Sequence, residues 1–189
     1  GAYNSASGYQ AMGYGINTGS YNTASGYQSL YSNTTGQYNV GSGYKTLYNN
    51  TTGNYNSASG YSALGNNRTG SFNMASGFNA MATNTTGGYN MAMGYMALAR
   101  SNGSSNMALG TESLQFNTSG GNNTGVGTAT LNSNTTGHGS VAIGFKAGFS
   151  NQTGSYNVFI GNEAGYSETG SNKLYIDNSN TASPLIYGD

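Results

Sequence analysis

Small or polar residues of fixed type alternate with variable residues along the chain, which gives a period of two. The alternation restarts about every 17 residues. In each restart, asparagine, alanine and a second glycine follow a leading glycine, and variable residues stand between them, as in GSYNTASG at residues 19–26. A period of two is typical of a β-strand, because successive side chains point to opposite faces. The pattern therefore predicts one strand in the first half of each repeat.

The repeated unit is a coil of 16 to 18 residues that occurs about ten times. Every coil holds at least two glycines, and each would cost about 1 kcal/mol inside a helix, so a helical repeat is disfavoured. The Asn-Thr-Thr-Gly segments that close many coils suit tight corners. The leading glycines are Gly1, Gly19, Gly36, Gly53, Gly70, Gly87, Gly103, Gly120, Gly137 and Gly154.

The predicted fold is all-β: a parallel β-solenoid, or β-roll, whose coils stack at the strand spacing of roughly 4.8 Å. The alternating half of each coil supplies one strand. The Ala-Leu pair of the second half, as in Ala63-Leu64, predicts a second short strand. Residues 1–169 are assigned to the roll and residues 170–189 to a C-terminal junction segment.

The interior of the roll is predicted to hold one small and one large residue from each coil. A column of alanines facing a column of leucines would fill a narrow interior to normal density. In the tenth coil the sizes are exchanged, with Phe159 at the small position and Gly165 at the large one, as expected if the two positions touch. The residues assigned to the interior are Ala24, Leu30, Ala58, Leu64, Ala75, Leu98 and Phe159.

The outward positions of the same strands change character along the chain. In the first five coils they are mostly tyrosine and serine, as in Tyr55, Ser57, Ser59 and Tyr61, and from the sixth coil they become apolar. An apolar stripe on an outer face is an expected interaction surface, and we expect self-association about a threefold axis to bury it. The outer stripe, predicted as a trimer interface, comprises Met93, Leu109, Val126, Val141, Ile143, Val158 and Ile160.

The composition of the chain argues against nucleic acid and the membrane interior as partners. Charged residues are 5% of the chain, against about 25% in a typical soluble protein, and the five cations are too dispersed to form a basic stripe for nucleic acid. Aromatic residues are 12% of the chain and the net charge is zero, which distinguishes it from disordered sequences. No apolar run is long enough to predict membrane insertion.

Titratable groups are too sparse to predict catalysis. The chain has one histidine, His138, and no cysteine; Glu163 and Glu168 near Lys173 are expected to form surface pairs. We therefore expect no enzyme activity, no cofactor and no metal site.

Two regular rows have alternative interpretations. Stacked aromatic residues can stabilise a sheet, or they can bind sugars, and the candidate glycan contacts are Tyr21, Tyr27, Tyr38, Tyr44, Tyr55 and Tyr61. The Asn-Thr-Thr triplets suit hydrogen-bonded corners, but they are also glycosylation motifs, and rows of threonine could bind ice. The triplets begin at Asn33, Asn50, Asn84 and Asn134.

Two segments, GSVAIGFKAG at 139–148 and YNVFIGNEAG at 156–165, resemble the head repeats of YadA-like trimeric autotransporter adhesins. The SNTTG and YNTASGYQSL elements look like repeats of phage and bacterial tail-fibre-domain proteins, and residues 170–189 resemble the junction that follows such repeats. The resemblance implies a trimer of left-handed parallel β-rolls. Because the early coils carry serine or threonine where the adhesins prefer valine and isoleucine, trimerisation is expected mainly for residues 88–170.

The function that this resemblance implies is structural and adhesive: the trimeric shaft of a phage tail fibre or cell-surface adhesin. Such a fibre would be extracellular, on a virion or a cell surface, and would bind host or cell-surface receptors, with a surface glycan as a candidate partner. The alternatives are a subunit of a self-assembling extracellular β-solenoid filament and an ice-binding solenoid.

Overall fold

The computed structural model describes residues 1–181 and 183–188, whose strands form one sheet in chain order. The first eleven strands are parallel, and the twelfth pairs antiparallel with the eleventh. The predicted parallel β-solenoid of about ten coils is confirmed, and the described residues contain no helix. The strands are β1 (Ser5–Ser7), β2 (Thr23–Ser25), β3 (Val40–Tyr44), β4 (Ser57–Tyr61), β5 (Met74–Ser76), β6 (Met91–Met93), β7 (Met107–Leu109), β8 (Thr124–Val126), β9 (Val141–Ile143), β10 (Val158–Ile160), β11 (Leu174–Ile176) and β12 (Ile186–Gly188).

The second half of each coil differs from the prediction, because tight turns replace the expected second strand. In the third coil Lys45 and Leu47 adopt left-handed backbone conformations with φ of 51° and 50°, which cost roughly 1–2 kcal/mol for a residue with a side chain. Hydrogen bonds between coils offset this cost. The Lys45 N–H donates to the Tyr27 carbonyl at 2.8 Å, and the Leu47 N–H donates to the Ala63 carbonyl at 3.1 Å.

The inward face holds a column of small strand residues against a column of leucines and methionines from the turns. None of the seven residues assigned to the interior has more than 2% of its surface exposed. Burying a leucine side chain is worth about 1.5–3 kcal/mol, so this column is a main source of stability along the roll. The seven are Ala24, Leu30, Ala58, Leu64, Ala75, Leu98 and Phe159.

Phe159 occupies space left by two glycines rather than one. Gly148 and Gly165 stand where most other coils have leucine or methionine. A Cβ at either glycine would collide with the Phe159 ring. The ring therefore reaches the coil before its own, which the exchange with Gly165 alone did not reveal.

A second exchange of residue size occurs at Gly41, which lies beside a buried pair of hydroxyl groups. Gly41 replaces the alanine of neighbouring strands, and a Cβ there would collide with the Ser29 Oγ and lie 3.0 Å from the Thr46 Oγ1. The Ser29 and Thr46 hydroxyls are hydrogen-bonded at 2.9 Å inside the roll. The same arrangement recurs at Gly125, beside a second buried serine–threonine pair. The hydroxyl pair and the glycine are therefore one packing unit.

Gly41→Ala alone should destabilise the roll by about 1–3 kcal/mol, because it overpacks the hydroxyl pair. Adding Ser29→Ala and Thr46→Ala should recover most of that loss, because the triple variant has the alanines found at Ala58, Ala63 and their equivalents. Urea unfolding of the single, double and triple variants measures the coupling. Additive free energies of unfolding would contradict the proposed packing unit.

Two columns of buried asparagines hold the corners together. In one column, the Asn39 N–H donates to the Asn22 Oδ1 at 2.9 Å, and the Asn22 Nδ2 donates to the Gly36 carbonyl at 2.8 Å. In the other, the Asn33 Nδ2 donates to the same Gly36 carbonyl at 3.0 Å, and its Oδ1 accepts from the Asn50 Nδ2 at 2.9 Å. The Gly36 carbonyl is thus satisfied by two side chains, as burial requires.

The junction segment continues the sheet before it turns back. In β11, Tyr175 lies in register with Phe159, with ring centroids 5.9 Å apart, and packs against the core. In β12, Tyr187 contacts Tyr175 edge to face at 5.2 Å. Positions 182 and 189 of the junction lie outside the described residues. Tyr175 therefore covers the core at the tenth coil.

Candidate functional site

The outer stripe forms one continuous surface on the outward face of β6 to β10. Its members lie in register, so that Val126 is next to Ile143, and Ile143 is next to Ile160. In the isolated chain Met93 and Ile143 are 46% and 42% exposed, and the other five members are half-buried. All seven predicted interface residues thus share one outward face.

The side chains beside the stripe become small one coil after the stripe begins. Tyr89 and Tyr95 flank β6, but the corresponding residues of the next coil are Ser105 and Thr111. Large rings return on one side at Phe145 and on the other side at Tyr156. A neighbouring molecule therefore meets less obstruction over β7 and β8 than over the first six coils.

The two predicted tyrosine ladders are continuous stacks along the first six coils. Centroids of neighbouring rings are 4.7 to 5.4 Å apart, with planes within 14° of parallel. Each of the six candidate glycan contacts has a ring stacked on both of its faces. Tyr21, Tyr27, Tyr38, Tyr44, Tyr55 and Tyr61 therefore present ring edges to solvent, whereas sugars stack on ring faces.

A third aromatic ladder, which is not among the predicted rows, runs through the turns. Tyr31 stacks between Tyr14 and Tyr48, with centroid distances of 5.6 and 5.1 Å. It ends at Tyr48, because the corresponding residue of the next coil is Gly65. Tyr48 therefore has one face that no ring covers. The signal in the sequence was the recurrence of tyrosine 17 residues apart at Tyr31 and Tyr48.

The asparagines of the four Asn-Thr-Thr triplets are buried. Asn33, Asn50, Asn84 and Asn134 are at most 1% exposed, and their side-chain amides donate to neighbouring asparagines and glycine carbonyls. A glycan cannot be attached to these amides in the folded roll. The hydroxyls of the following threonines are also engaged, since Thr34 donates to the Thr51 carbonyl at 2.9 Å. The triplets thus serve as corners.

His138 and Glu168, two of the titratable groups noted in the sequence, have separate hydrogen-bond partners. The His138 side chain is exposed at a corner, and its Nδ1 accepts from the Gly121 N–H at 2.9 Å. Glu168 lies at the end of the tenth coil, where its carboxylate accepts from the Gly170 N–H at 2.6 Å and from the Tyr175 hydroxyl at 2.8 Å. Within residues 1–181 and 183–188, no cluster of histidine, cysteine or carboxylate side chains could hold a metal ion, and no helix could cross a membrane.

Glu168 and Tyr175 shift each other's pKa. Burial acts to raise the pKa of Glu168, but hydrogen bonds from the Gly170 N–H, the Tyr175 hydroxyl and the Thr169 N–H, together with Lys173, outweigh burial and lower it. Burial, followed by the hydrogen bond to Glu168, raises the pKa of Tyr175 to about 12. The pair therefore favours an ionised carboxylate and a neutral phenol.

Because the folded-state pKa of Tyr175 is raised, its contribution to stability should be complete below pH 10.0 and lost as the pH rises through about 12. Glu168 has a lowered pKa, so its contribution should be complete above 4.5 and lost as the pH falls through the lowered value. A spectrophotometric tyrosine titration of the wild type minus that of Tyr175→Phe should show one group ionising near pH 12. A difference curve centred near pH 10 would contradict the Glu168–Tyr175 pairing.

Comparison with known proteins finds no matching family model, no matching curated protein and no matching solved structure.

Proposed function

We propose that the chain is a shaft segment of a trimeric extracellular fibre, of the tail-fibre or surface-adhesin kind, that contacts cell-surface receptors. The observation that carries the proposal is the outer stripe, a row of aliphatic side chains left on the surface of the single roll over five adjacent strands. No charged residue belongs to the row.

Energetics favour burial of this stripe between copies. An aliphatic side chain moved from water to an interface gains up to about 1.5–3 kcal/mol. The gain per residue here is smaller for the members that are already half-buried, but it recurs along five strands and in three chains. A closed ring of three copies buries the same stripe in each chain and leaves none exposed.

The shape of the roll suits a shaft. Ten coils stacked at roughly 4.8 Å give a rod of about 50 Å. Hydrogen bonds join each coil to its neighbours at the strands, the turns and the corners. Such a rod can hold a receptor-binding surface at a distance from its attachment point.

Sedimentation equilibrium tests the proposal directly. The expected mass is three times the 19.4 kDa of one chain, at micromolar concentration and in the absence of any ligand. A concentration-independent mass of one chain would overturn the trimer, and a mass that grows without limit would favour the filament.

A further inference from the structure

A shallow trough runs along the roll on the side of the turns, beginning at the face of Tyr48 on which no ring stacks. Tyr31 and Tyr48 occupy the same position of successive coils, and the next three coils have only Gly65, Ala82 and Ala99 there. The large side chain returns at Gln115, one coil further on. Three small residues in succession therefore leave a trough of about 14 Å along the rod axis.

Polar side chains line the trough. Lys45, Ser62 and Asn79 form one wall, Asn49 and Asn66 form the other, and the cavity near Tyr48 has a volume of 350 Å³. Arg100 holds the same position of its coil as Asn49 and Asn66, and its guanidinium lies over the Phe116 ring of the next coil at 4.9 Å. This volume falls within the range of small-ligand sites.

Several groups in these walls are available to a ligand. Among the described residues, neither the Ser62 hydroxyl nor the Asn79 side-chain amide has a hydrogen-bond partner. The Asn49 Nδ2 donates to the Asn66 Oδ1 at 2.9 Å, which leaves the Asn49 Oδ1 as an acceptor. The Lys45 Nζ lies over the Tyr48 ring, 5.3 Å from its centroid. A ring face, amides, a hydroxyl and an ammonium group thus meet at one end of the trough.

Charge in this part of the chain favours an anion. The first 111 residues contain Lys45, Arg68 and Arg100 and no carboxylate side chain, whereas every acidic residue lies at Glu112 or beyond. The field over the first coils is therefore positive, which attracts anionic ligands. A single lysine beside a ring face fits one acidic sugar better than a polyphosphate, which needs several cations.

We propose that the trough binds a short acidic oligosaccharide whose charged pyranose stacks on Tyr48. The carboxylate pairs with Lys45, and the ring hydroxyls bond to Ser62, Asn79 and the Asn49 Oδ1. Further sugar units continue over Ala82 towards Arg100. This inference rests on the proposed fibre function, because it assigns a ligand class to the cell-surface contact. The trough lies on the side of the turns, so trimer formation through the outer strand face does not require it.

Calorimetric titration with an oligogalacturonate of defined length tests the site. Ala82→Tyr places a ring where the chain itself has Tyr31 and Tyr48, so it should fill the trough without disturbing the fold. We expect Ala82→Tyr and Lys45→Gln each to weaken binding about tenfold, which corresponds to ~1.4 kcal/mol. Ser133→Tyr, which adds a ring on the same side three coils further on, should bind as the wild type does.

Binding of other saccharides tests whether the site requires a negative charge. A sulfated oligosaccharide that binds and competes with the uronate supports an anionic sugar site, whereas a neutral one of equal length that binds as tightly overturns the charge argument. Absence of binding, or normal binding by Ala82→Tyr, overturns the site itself. Sedimentation of the same variants is independent of these results, so loss of the sugar site with an intact trimer leaves the fibre proposal standing.

Discussion

Ile143→Asp should convert the trimer into monomers or aggregates. Ile143 is 42% exposed in the single roll and lies in register between Val126 and Ile160. In a closed trimer its three copies would surround one axis, and three carboxylates there would be desolvated and mutually repelled without a cation to pair with. Sedimentation velocity at several concentrations measures the loss.

Ser59→Asp is the matched control, because Ser59 occupies the same position of the fourth coil, outside the stripe. Its side chain is exposed between two stacked tyrosine ladders. We expect this variant to sediment as the wild type does and both variants to keep the β-sheet circular dichroism of the roll. An Ile143→Asp protein that remains trimeric would show that the stripe is not the interface.

The strand half of each coil could be predicted from the sequence because several constraints coincide there. Alternation fixes which side chains point inward, and the repeated asparagine fixes the register. The interior positions of Ala58 and Leu64 follow from this repetition, although Leu64 lies in a turn and not in a second strand. Repetition predicts which residues lie one above another, even where the local conformation is predicted wrongly.

The turns could not be predicted because their backbone conformation opposes local preference. Leu47 and Tyr38 have left-handed backbones with φ of 50° and 56°, which residues with side chains rarely adopt. Their N–H groups donate to neighbouring coils, so the stabilising contacts come from residues distant in sequence. A propensity argument applied to one coil does not contain that information.

Of the candidate site, the outer stripe could be predicted from the sequence, but the free ring faces of the tyrosines could not. The outward position of Val141 and Ile143 follows from alternation alone, but the availability of a tyrosine ring depends on what stacks above and below it. Tyr55 is among the predicted glycan contacts, yet the rings of Tyr38 and Phe72 cover its two faces. Tyr48 is not among the predicted contacts, although Gly65 leaves one of its faces without a stacked ring. A ring face without a stacked neighbour occurs at the end of a ladder, where the repeat changes.

Asn56→Leu should destabilise the roll by roughly 3 kcal/mol or more. The Asn56 Oδ1 accepts from the Asn73 N–H at 3.0 Å, and its Nδ2 donates to the Gly70 carbonyl at 2.9 Å and to the Asn39 Oδ1 at 3.1 Å. Leucine is close in size but leaves the buried Asn73 N–H without an acceptor, at a cost of about 1–3 kcal/mol, and removes further bonds worth ~0.5–1.5 kcal/mol each.

The ninth coil shows that a smaller polar residue can replace part of the hydrogen bonding that Asn56→Leu removes. Ser140 replaces the asparagine there, and its Oγ accepts from the Asn157 N–H at 3.1 Å. Asn56→Ser should therefore keep the Asn73 N–H paired and destabilise the roll less than Asn56→Leu does. The reverse change, Ser140→Asn, completes the column and should raise the midpoint of urea unfolding. Equal midpoints for Asn56→Leu and Asn56→Ser would mean that side-chain volume, and not the hydrogen-bonded column, sets the stability of these corners.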